Sequence, residues 1–337
     1  MTTATVEAPP RVELSSNGGD FRARSAKKRM LIVVNPYATT VSDRLKNLVV
    51  YALQGRYEVE AVSTRARNHA TEISREAKDG NFDVVVAFGG DGTLNEVANG
   101  LAHTDIPVSV LPGGSTNVVC RTLGIPNDVV DATEHLLGLA DDFRPRRIDL
   151  GIANERRFVF ACGAGLDATT AQRVDARPRL KARGGRWFYT GVAISSFYRQ
   201  YLRNPVRMRM TINGEASDGM TAIAQNSDPF TYFGRLPVRV CEGAALDNGT
   251  LSVAMLRRAA QRDVPTIAFR VLSERFQIPD HRQIDHFTDV TVARIESRSV
   301  AADGRIRGFP VQVDGDYIGD YGELDLGIDP GALTVVS

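Results

Sequence analysis

The sequence is poor in several features that usually declare a function. It holds three cysteines, Cys120, Cys162 and Cys241, an odd number at wide spacing. That excludes a disulfide framework or paired thiolate metal site and suits buried thiols in a reducing, cytoplasmic setting. The five histidines, His69, His103, His135, His281 and His286, form no HExxH pair or other compact ligand spacing, so a zinc hydrolase is not supported. His281 and His286 beside Asp285 read as exposed loop residues. Formal net charge is +1, which excludes a global field recruiting nucleic acid or an acidic membrane. No run approaches the roughly 20 apolar residues that span a bilayer. The first 28 residues lack the apolar core of roughly 7 to 15 residues that marks a secretory signal, and read as a disordered tail. Neither the Walker loop GxxxxGK[ST] nor the dinucleotide fingerprint GxGxxG is present.

What is present is organised in two halves. Length and a hydrophobic content of 43% favour two domains. In the first half, Met30 to Asn35, Tyr57 to Ser63, Asp83 to Phe88 and Ile106 to Leu111 read as strands. Helical patterns lie over Asp43 to Leu53, over Ala70 to Lys78 and up to about Leu101. The alternation predicts a doubly wound α/β domain over 29–146, with ligands collecting at the carboxyl ends of its strands. From about Arg147 the texture turns to short alternating segments: Phe158 to Cys162, Val206 to Ile212, Gly219 to Gln225, Leu251 to Met255 and Val311 to Val313. A mainly antiparallel β domain over 147–321 is expected. Within it Ala182 to Leu202 and Ala259 to Arg275 are candidate amphipathic helices, and 322–337 is free to return to the first domain.

The chemistry concentrates in two turns. Gly89-Gly90-Asp91-Gly92-Thr93-Leu94-Asn95-Glu96 lies between a buried strand and a helix. Glycines let the backbone approach an anion, and the amides of the following helix start face it with the favourable end of the dipole. Asp91 in such a turn repels phosphate oxygens unless a cation lies between, which points to Mg²⁺; an ordinary turn with Asp91 as a helix cap is the alternative. Pro112-Gly113-Gly114-Ser115-Thr116-Asn117 repeats the placement after the next strand, its hydroxyls able to bind phosphate or to cap a helix. Asn35-Pro36 ends the first strand in the same way.

GGDGTLNEVANGL, the downstream PGGSTN, Ala244 to Thr250, and Val313-Asp314-Gly315-Asp316 together resemble the diacylglycerol kinase catalytic family, which includes sphingosine and ceramide kinases and bacterial soluble lipid kinases. The resemblance runs from about residue 29 to the carboxyl end. It implies an α/β nucleotide domain and a β-sandwich with the active site in the cleft between them. The activity implied is transfer of the γ-phosphoryl group of ATP to a lipid hydroxyl, with diacylglycerol the leading acceptor. The resemblance places ATP contacts on Asn35, Pro36, Tyr37, Ala38 and Thr39, on Thr64, on Gly90, Asp91, Gly92, Thr93, Leu94, Asn95 and Glu96, and on Ser115. Asp316 is the implied catalytic base with Asp314 beside it, their roles exchangeable. A structural Mg²⁺ is implied at Ala245, Asp247, Asn248 and Thr250. The sequence departs from the family at Asn248, where relatives often carry Asp, and at Val118, where several bacterial relatives carry Asp. Asp149 and Asp167 match acidic family positions, with turn or strand-end roles equally open.

Two rivals remain at this stage: an NAD kinase-like enzyme, which shares the GGDGT turn, and a nucleotide- or lipid-binding protein without turnover, motivated by Asn248 and Val118. The stretch Arg177 to Arg207 mixes basic residues with Trp187, Phe188, Tyr189, Phe197, Tyr198 and Tyr201. It reads either as a transient contact with a membrane surface, which would make the protein peripherally membrane-associated, or as a helix packed on its own domain. Partners expected are a membrane lipid substrate and no nucleic acid; a homodimer stays open.

Overall fold

Three strands of the first half, at 28–34, 84–89 and 108–112, are largely buried apolar runs, as the centre of a parallel sheet covered on both faces requires, while the strand at 57–63 alternates and lies at the edge. The computed structural model describes residues 27–176 and 204–337, except 259, 272, 274 and 275, together with 191, 192, 195, 196 and 201. In it β1 (Lys28–Val34), β2 (Tyr57–Ser63), β3 (Val84–Gly89) and β4 (Val108–Pro112) pair in parallel in the order β2-β1-β3-β4. Helices α1 (Asp43–Leu53), α2 (His69–Glu76) and α3 (Asp91–Leu101) connect them. Strand order reverses between β1 and β3, so the crevice beyond their carboxyl ends is a topological switch point. The turns at Asn35 and at Gly90 both open into it.

Two further helices lie in this half: α4 (Val118–Thr122), which follows the second turn where a capped helix was one reading and whose N-cap residue, Asn117, does not cap it with its side chain, and α5 (Val129–Leu139), which was not anticipated. The start of α5 was available in the sequence, because the Asp128 side chain accepts from the amides of Val130 and Asp131. Helix α4 is one turn long and leaves no periodic signature.

The second half is built from β5 (Arg146–Ala153), β6 (Arg156–Phe158), β7 (Ala161–Ala164), α6 (Leu166–Asp175), β8 (Met208–Ile212) and β9 (Glu215–Gly219). These are followed by β10 (Thr221–Gln225), β11 (Thr231–Phe233), β12 (Leu236–Val238), β13 (Leu251–Leu256) and α7 (Val264–Val271). The last strands are β14 (Ile284–Val290), β15 (Val292–Ser297), β16 (Phe309–Val313), β17 (Asp316–Tyr321) and β18 (Glu323–Val335). One sheet runs β14-β13-β10-β7-β16-β17. The other continues the nucleotide-domain sheet, because β18 pairs antiparallel with β15 and β5 and then meets β4 in parallel at Val335 and Val108. Phe158, Met208, Met210, Val253, Met255, Phe309, Val311, Leu324 and Leu326 fill the space between the two sheets. The fold is therefore an α/β domain joined to an antiparallel β-sandwich, as the sequence led one to expect.

Helix α7 is shorter than the span expected for it, and most of the expected helix over 182–202 lies outside the described residues. Cys120, Cys162 and Cys241 are free and buried, and burial raises all three thiols above the usual range. The histidine reading needs correction. His281 is buried, with its ring bonded to the Thr266 hydroxyl of α7, and His286 sits half-buried in β14, where it accepts from the Glu242 amide. Both are packing residues whose burial lowers their pKa.

Candidate functional site

The two glycine-rich turns meet backbone to backbone. The Gly113 amide donates to the Gly89 carbonyl at 2.7 Å. A Cβ on Gly113 would lie 2.9 Å from the Gly89 Cα, and one on Gly114 would lie 2.9 Å from the Gly90 Cα. No side chain fits between the turns, which is why both carry paired glycines. The turn after β1 is tied to the same ledge: the Asn35 amide donates to the Phe88 carbonyl, its side chain donates to the Thr93 hydroxyl at 3.1 Å, and the Thr40 amide donates to the Gly113 carbonyl. Asn117, in the left-handed region at φ 50°, closes the second turn by bonding both the amide and the carbonyl of Gly114. Helix α3 begins at Gly90, and no side chain caps it. Its first amides therefore face the crevice, where an anion is stabilised by the helix dipole.

Asp91 does not cap its own helix. Its two oxygens accept from the amides of Val118 and Val119 at 3.1 and 3.2 Å, at the start of α4. Burial, with smaller contributions from Asp314 and Asp316, pushes its carboxyl up to about 6 against the opposing pull of those amides. A carboxylate offers about four lone-pair sites, so two stay available beyond these bonds. Val118 thus contributes its backbone to the site, whatever its side chain.

Across the cleft, β16 and β17 form a hairpin in which Val313 pairs with Asp316. Its two loop residues, Asp314 and Gly315, both have positive φ, 48° and 86°, the signature of a type I′ turn. The carboxylate of Asp314, 3% exposed, accepts from the amides of Val159, Phe160 and Ala161 and from the Asn95 side chain, at 2.7 to 3.1 Å. Burial outweighs these four donors and raises its carboxyl to about 6. Asp316 instead reaches the nucleotide-domain turn, where a Cβ on Gly92 would lie 3.1 Å from the Asp316 Cγ and nearer still to Oδ2. Of the two aspartates, Asp314 is consumed in holding the hairpin to the linker and to α3, and Asp316 faces the glycine turn.

The other residues named from the sequence divide by position. Asn95, 1% exposed, bonds Asp314, the Arg157 carbonyl and the Arg156 guanidinium, so its side chain joins the two domains. The Glu96 carboxylate accepts from the amides of Asn68 and Ala70 and caps α2, away from the glycine ledge. Leu94 is core. Pro36, Tyr37 and Thr39 are exposed around the β1 turn, with Ala38 half-buried among them; Ser115 is exposed on the second turn; and Thr64 is held at the end of β2 by its amide bond to Val34. Arg156 and Gln312 line this region and were not singled out from sequence. Both look like ordinary surface or strand residues until the fold brings them to Asn95 and Gly315.

In the loop from Ala245 to Thr250 the two polar side chains of the Asp-Asn pair are turned to neighbours. The Asn248 side chain closes the loop on itself, donating to the Gly243 carbonyl and accepting from the Thr250 amide, and Asp247 is exposed with Arg146 3.9 Å away. The buried carboxylate of Asp149 ties the loop down by accepting from the Gly249 and Gly331 amides, both at 2.7 Å. Among the described residues, no group of three or more His, Cys, Asp or Glu side chains is arranged to hold a metal ion.

The fold thus sets a glycine ledge at a switch point, faced by a carboxylate from the β hairpin. Residues 29–151 match the family model for the diacylglycerol kinase catalytic domain, and residues 161–337 match that for the YegS C-terminal NAD kinase beta sandwich-like domain. The chain belongs to the diacylglycerol kinase catalytic domain family with a YegS-like carboxyl-terminal domain. It is 35% identical over 170 residues to a diacylglycerol kinase of Bacillus subtilis (strain 168), covering 48% of this chain and 53% of the relative. It is 33% identical over 170 residues to a diacylglycerol kinase of Staphylococcus aureus (strain bovine RF122 / ET3-1), covering 48% of this chain and 51% of that one. The match thus spans about half the length of these curated relatives. In fold, the solved structure of a diacylglycerol kinase from Bacillus anthracis str. Sterne covers 93% of this chain and 98% of its own, with a TM-score of 0.65 at 18% identity. A second structure from the same strain reaches 0.70 at 20% over the same shares. At such identities the structures speak for the fold alone.

Proposed function

We propose that the protein transfers the γ-phosphoryl group of ATP to the hydroxyl of a membrane lipid, diacylglycerol being the leading acceptor and phosphatidic acid the product. The observation that carries this reading is the position of Asp316 against Gly92, which sets a carboxylate from one domain at the phosphate ledge of the other. The triphosphate lies along the amides at the start of α3 and on the turn at Gly113 to Ser115, with the β1 turn, Asn35 to Thr39, and Thr64 toward the nucleoside. Asp316 orients the lipid hydroxyl and accepts its proton as the O–P bond forms and ADP leaves. Asp314, its lone pairs spoken for, holds the hairpin.

The glycine ledge fits a triphosphate because its backbone is bare. A divalent cation accompanying ATP fits at Asp91, where it would neutralise phosphoryl oxygens. Among the described residues no helix is long and apolar enough to cross a membrane.

The test offers γ-labelled ATP to the purified protein with diacylglycerol micelles, with a total lipid extract, and with NAD. Label in a chloroform-soluble product is the expected result. Label appearing in NADP, or ATP bound without turnover in every arm, overturns the reading.

A further inference from the structure

The hairpin that carries Asp316 is short, and a type I′ turn leaves the amide of its second loop residue pointing outward. Here that amide is claimed. Gly315 donates to Oε1 of Gln312 at 2.7 Å, and Nε2 of Gln312 donates to Oδ2 of Asp167, also at 2.7 Å. Gln312 lies on β16, 2% exposed, at the point where the β16–β17 register shifts by a bulge. Asp167 stands in the first turn of α6, so the carboxamide is fixed at both ends.

A second, independent feature shows that this pair has a place made for it. Gly163, opposite Gln312 on β7, is a glycine whose Cβ would lie 2.5 Å from Oδ2 of Asp167 and 2.7 Å from Nε2 of Gln312. Any side chain there would occupy the space in which the two groups bond. A Cβ added to Gly315 would meet nothing within 4 Å, and the bond between Gln312 and the turn is made through the Gly315 amide.

We propose that Gln312 is a positioning residue for phosphoryl transfer, which, with Asp167 as its anchor, sets the turn that aims Asp316 at the acceptor hydroxyl. The inference rests on the kinase reading above. Asp314 restrains the first loop residue through the amides of Val159, Phe160 and Ala161 and through Asn95 of α3, and Gln312 restrains the second from the side of Asp167 and α6. Asp316 follows immediately, so a turn held from one side alone lets its carboxylate swing relative to Gly92.

The network has a polarity that can be reversed. In Gln312→Glu the new carboxylate still accepts from Gly315 but faces the carboxylate of Asp167, and the two repel. Adding Asp167→Asn restores a donor opposite it, with the hydrogen bond running the other way. The expected result is a kcat lower by about tenfold to a hundredfold in Gln312→Glu, since misplacement by about 1 Å costs on that order, with KM for ATP unchanged. The double variant should return to within about threefold of wild type. A loss of packing alone would not be rescued by a second substitution at Asp167, so recovery separates positioning from mere support. Thermal melts identify a variant that has not folded. In that event Asp167→Asn alone, which keeps an oxygen for Gln312 to donate to, serves as the milder probe, with a fall in kcat at constant KM for ATP expected. Gln312→Glu with wild-type kcat, a folded double variant no better than the single, or Asp167→Asn at full activity with Gln312→Glu unfolded overturns the inference while wild type still works. A wild type that phosphorylates no lipid overturns the kinase reading and this inference with it.

Discussion

Gly92→Ala separates stability from chemistry at a single atom. Gly92 lies in the first turn of α3 and is not among the residues with positive φ, so alanine meets no backbone penalty there. Exchanging glycine for alanine in a helix is worth up to about 1 kcal/mol in favour of folding. The added methyl would lie 3.1 Å from Cγ of Asp316, 3.3 Å from Oδ1, and closer again to Oδ2, where ordinary contact begins at 3.4 Å. The obstacle is the end of a side chain, not backbone, so the fold can yield by moving the carboxylate. A retreat of about 1 Å relieves the overlap, and displacement on that scale costs on the order of a hundredfold in rate. The expected outcome is a melting temperature equal to or slightly above wild type, unchanged affinity for an ATP analogue, and kcat down by about a hundredfold. ADP release coupled to lipid micelles, alongside a thermal melt, reads all of it. Activity within about twofold of wild type would refute the assignment of Asp316 to the reacting centre.

Gly114→Ala should behave differently, because its Cβ would meet the Gly90 Cα at 2.9 Å and neither backbone can move independently; both the melting temperature and ATP-analogue affinity should fall, and retention of either contradicts the close packing of the two turns. Glu96→Gln removes one of two oxygens capping α2 and should cost about 1–2 kcal/mol in denaturant unfolding, with kcat largely kept if the side chain serves the helix and not the nucleotide. Asp91 and Asp314 should titrate near pH 6 in carboxyl NMR of the protein free of nucleotide and divalent cations. Their folded values lie above the unfolded 3.8, so the stability linked to them is complete below about pH 4 and lost as pH rises through 6, opposed by His281 and His286, whose lowered values work the other way. Titration of both carboxyls below pH 4.5 would contradict the burial that raises them.

The parallel half was legible because its signals are local. Apolar runs closed by Asn-Pro or Gly-Gly define β1, β3 and β4, and the periods of α1 and β2 gave their bounds to the residue. The special role of the two turns was legible because glycine pairs after consecutive strands state a backbone requirement directly, and the structure packs them backbone to backbone. Helix α6 could not be read, since Leu166-Asp-Ala-Thr-Thr-Ala-Gln carries no apolar stripe and its start at Gly165, φ 95°, depends on the sheet beneath it. The placing of Asp314 and Asp316 was given by the family resemblance with their roles exchangeable, and the residues alone could not tell them apart. They are two residues apart in sequence, and only the arrival of three linker amides and Asn95 from elsewhere in the chain distinguishes the clamp from the group that faces Gly92. The inward closure of Asn248 on the Gly243 carbonyl belongs to the same class, since it depends on how the loop folds back on itself.

Helix α3 explains why the motif extends past its glycines. Its apolar positions, Leu94, Val97, Ala98 and Leu101, pack into the first core, yet Asn95 is just as buried. An unpaired buried amide would cost about 1–3 kcal/mol, and Asn95 escapes this by bonding Asp314, Arg156 and the Arg157 carbonyl. Four residues on, and so on the same face, Asn99 takes both the amide and the carbonyl of Arg157 at 3.0 Å, pairing with β6 as a neighbouring strand would. Just beyond the helix, His103 meets Asp329, which also binds Arg157. One element thus presents amides to the crevice at its start and grips the sandwich domain along its side. The distance from the glycine ledge to Asp316 is then fixed by a single rigid helix, and separating the domains at this seam requires breaking the Asn95 and Asn99 bonds together.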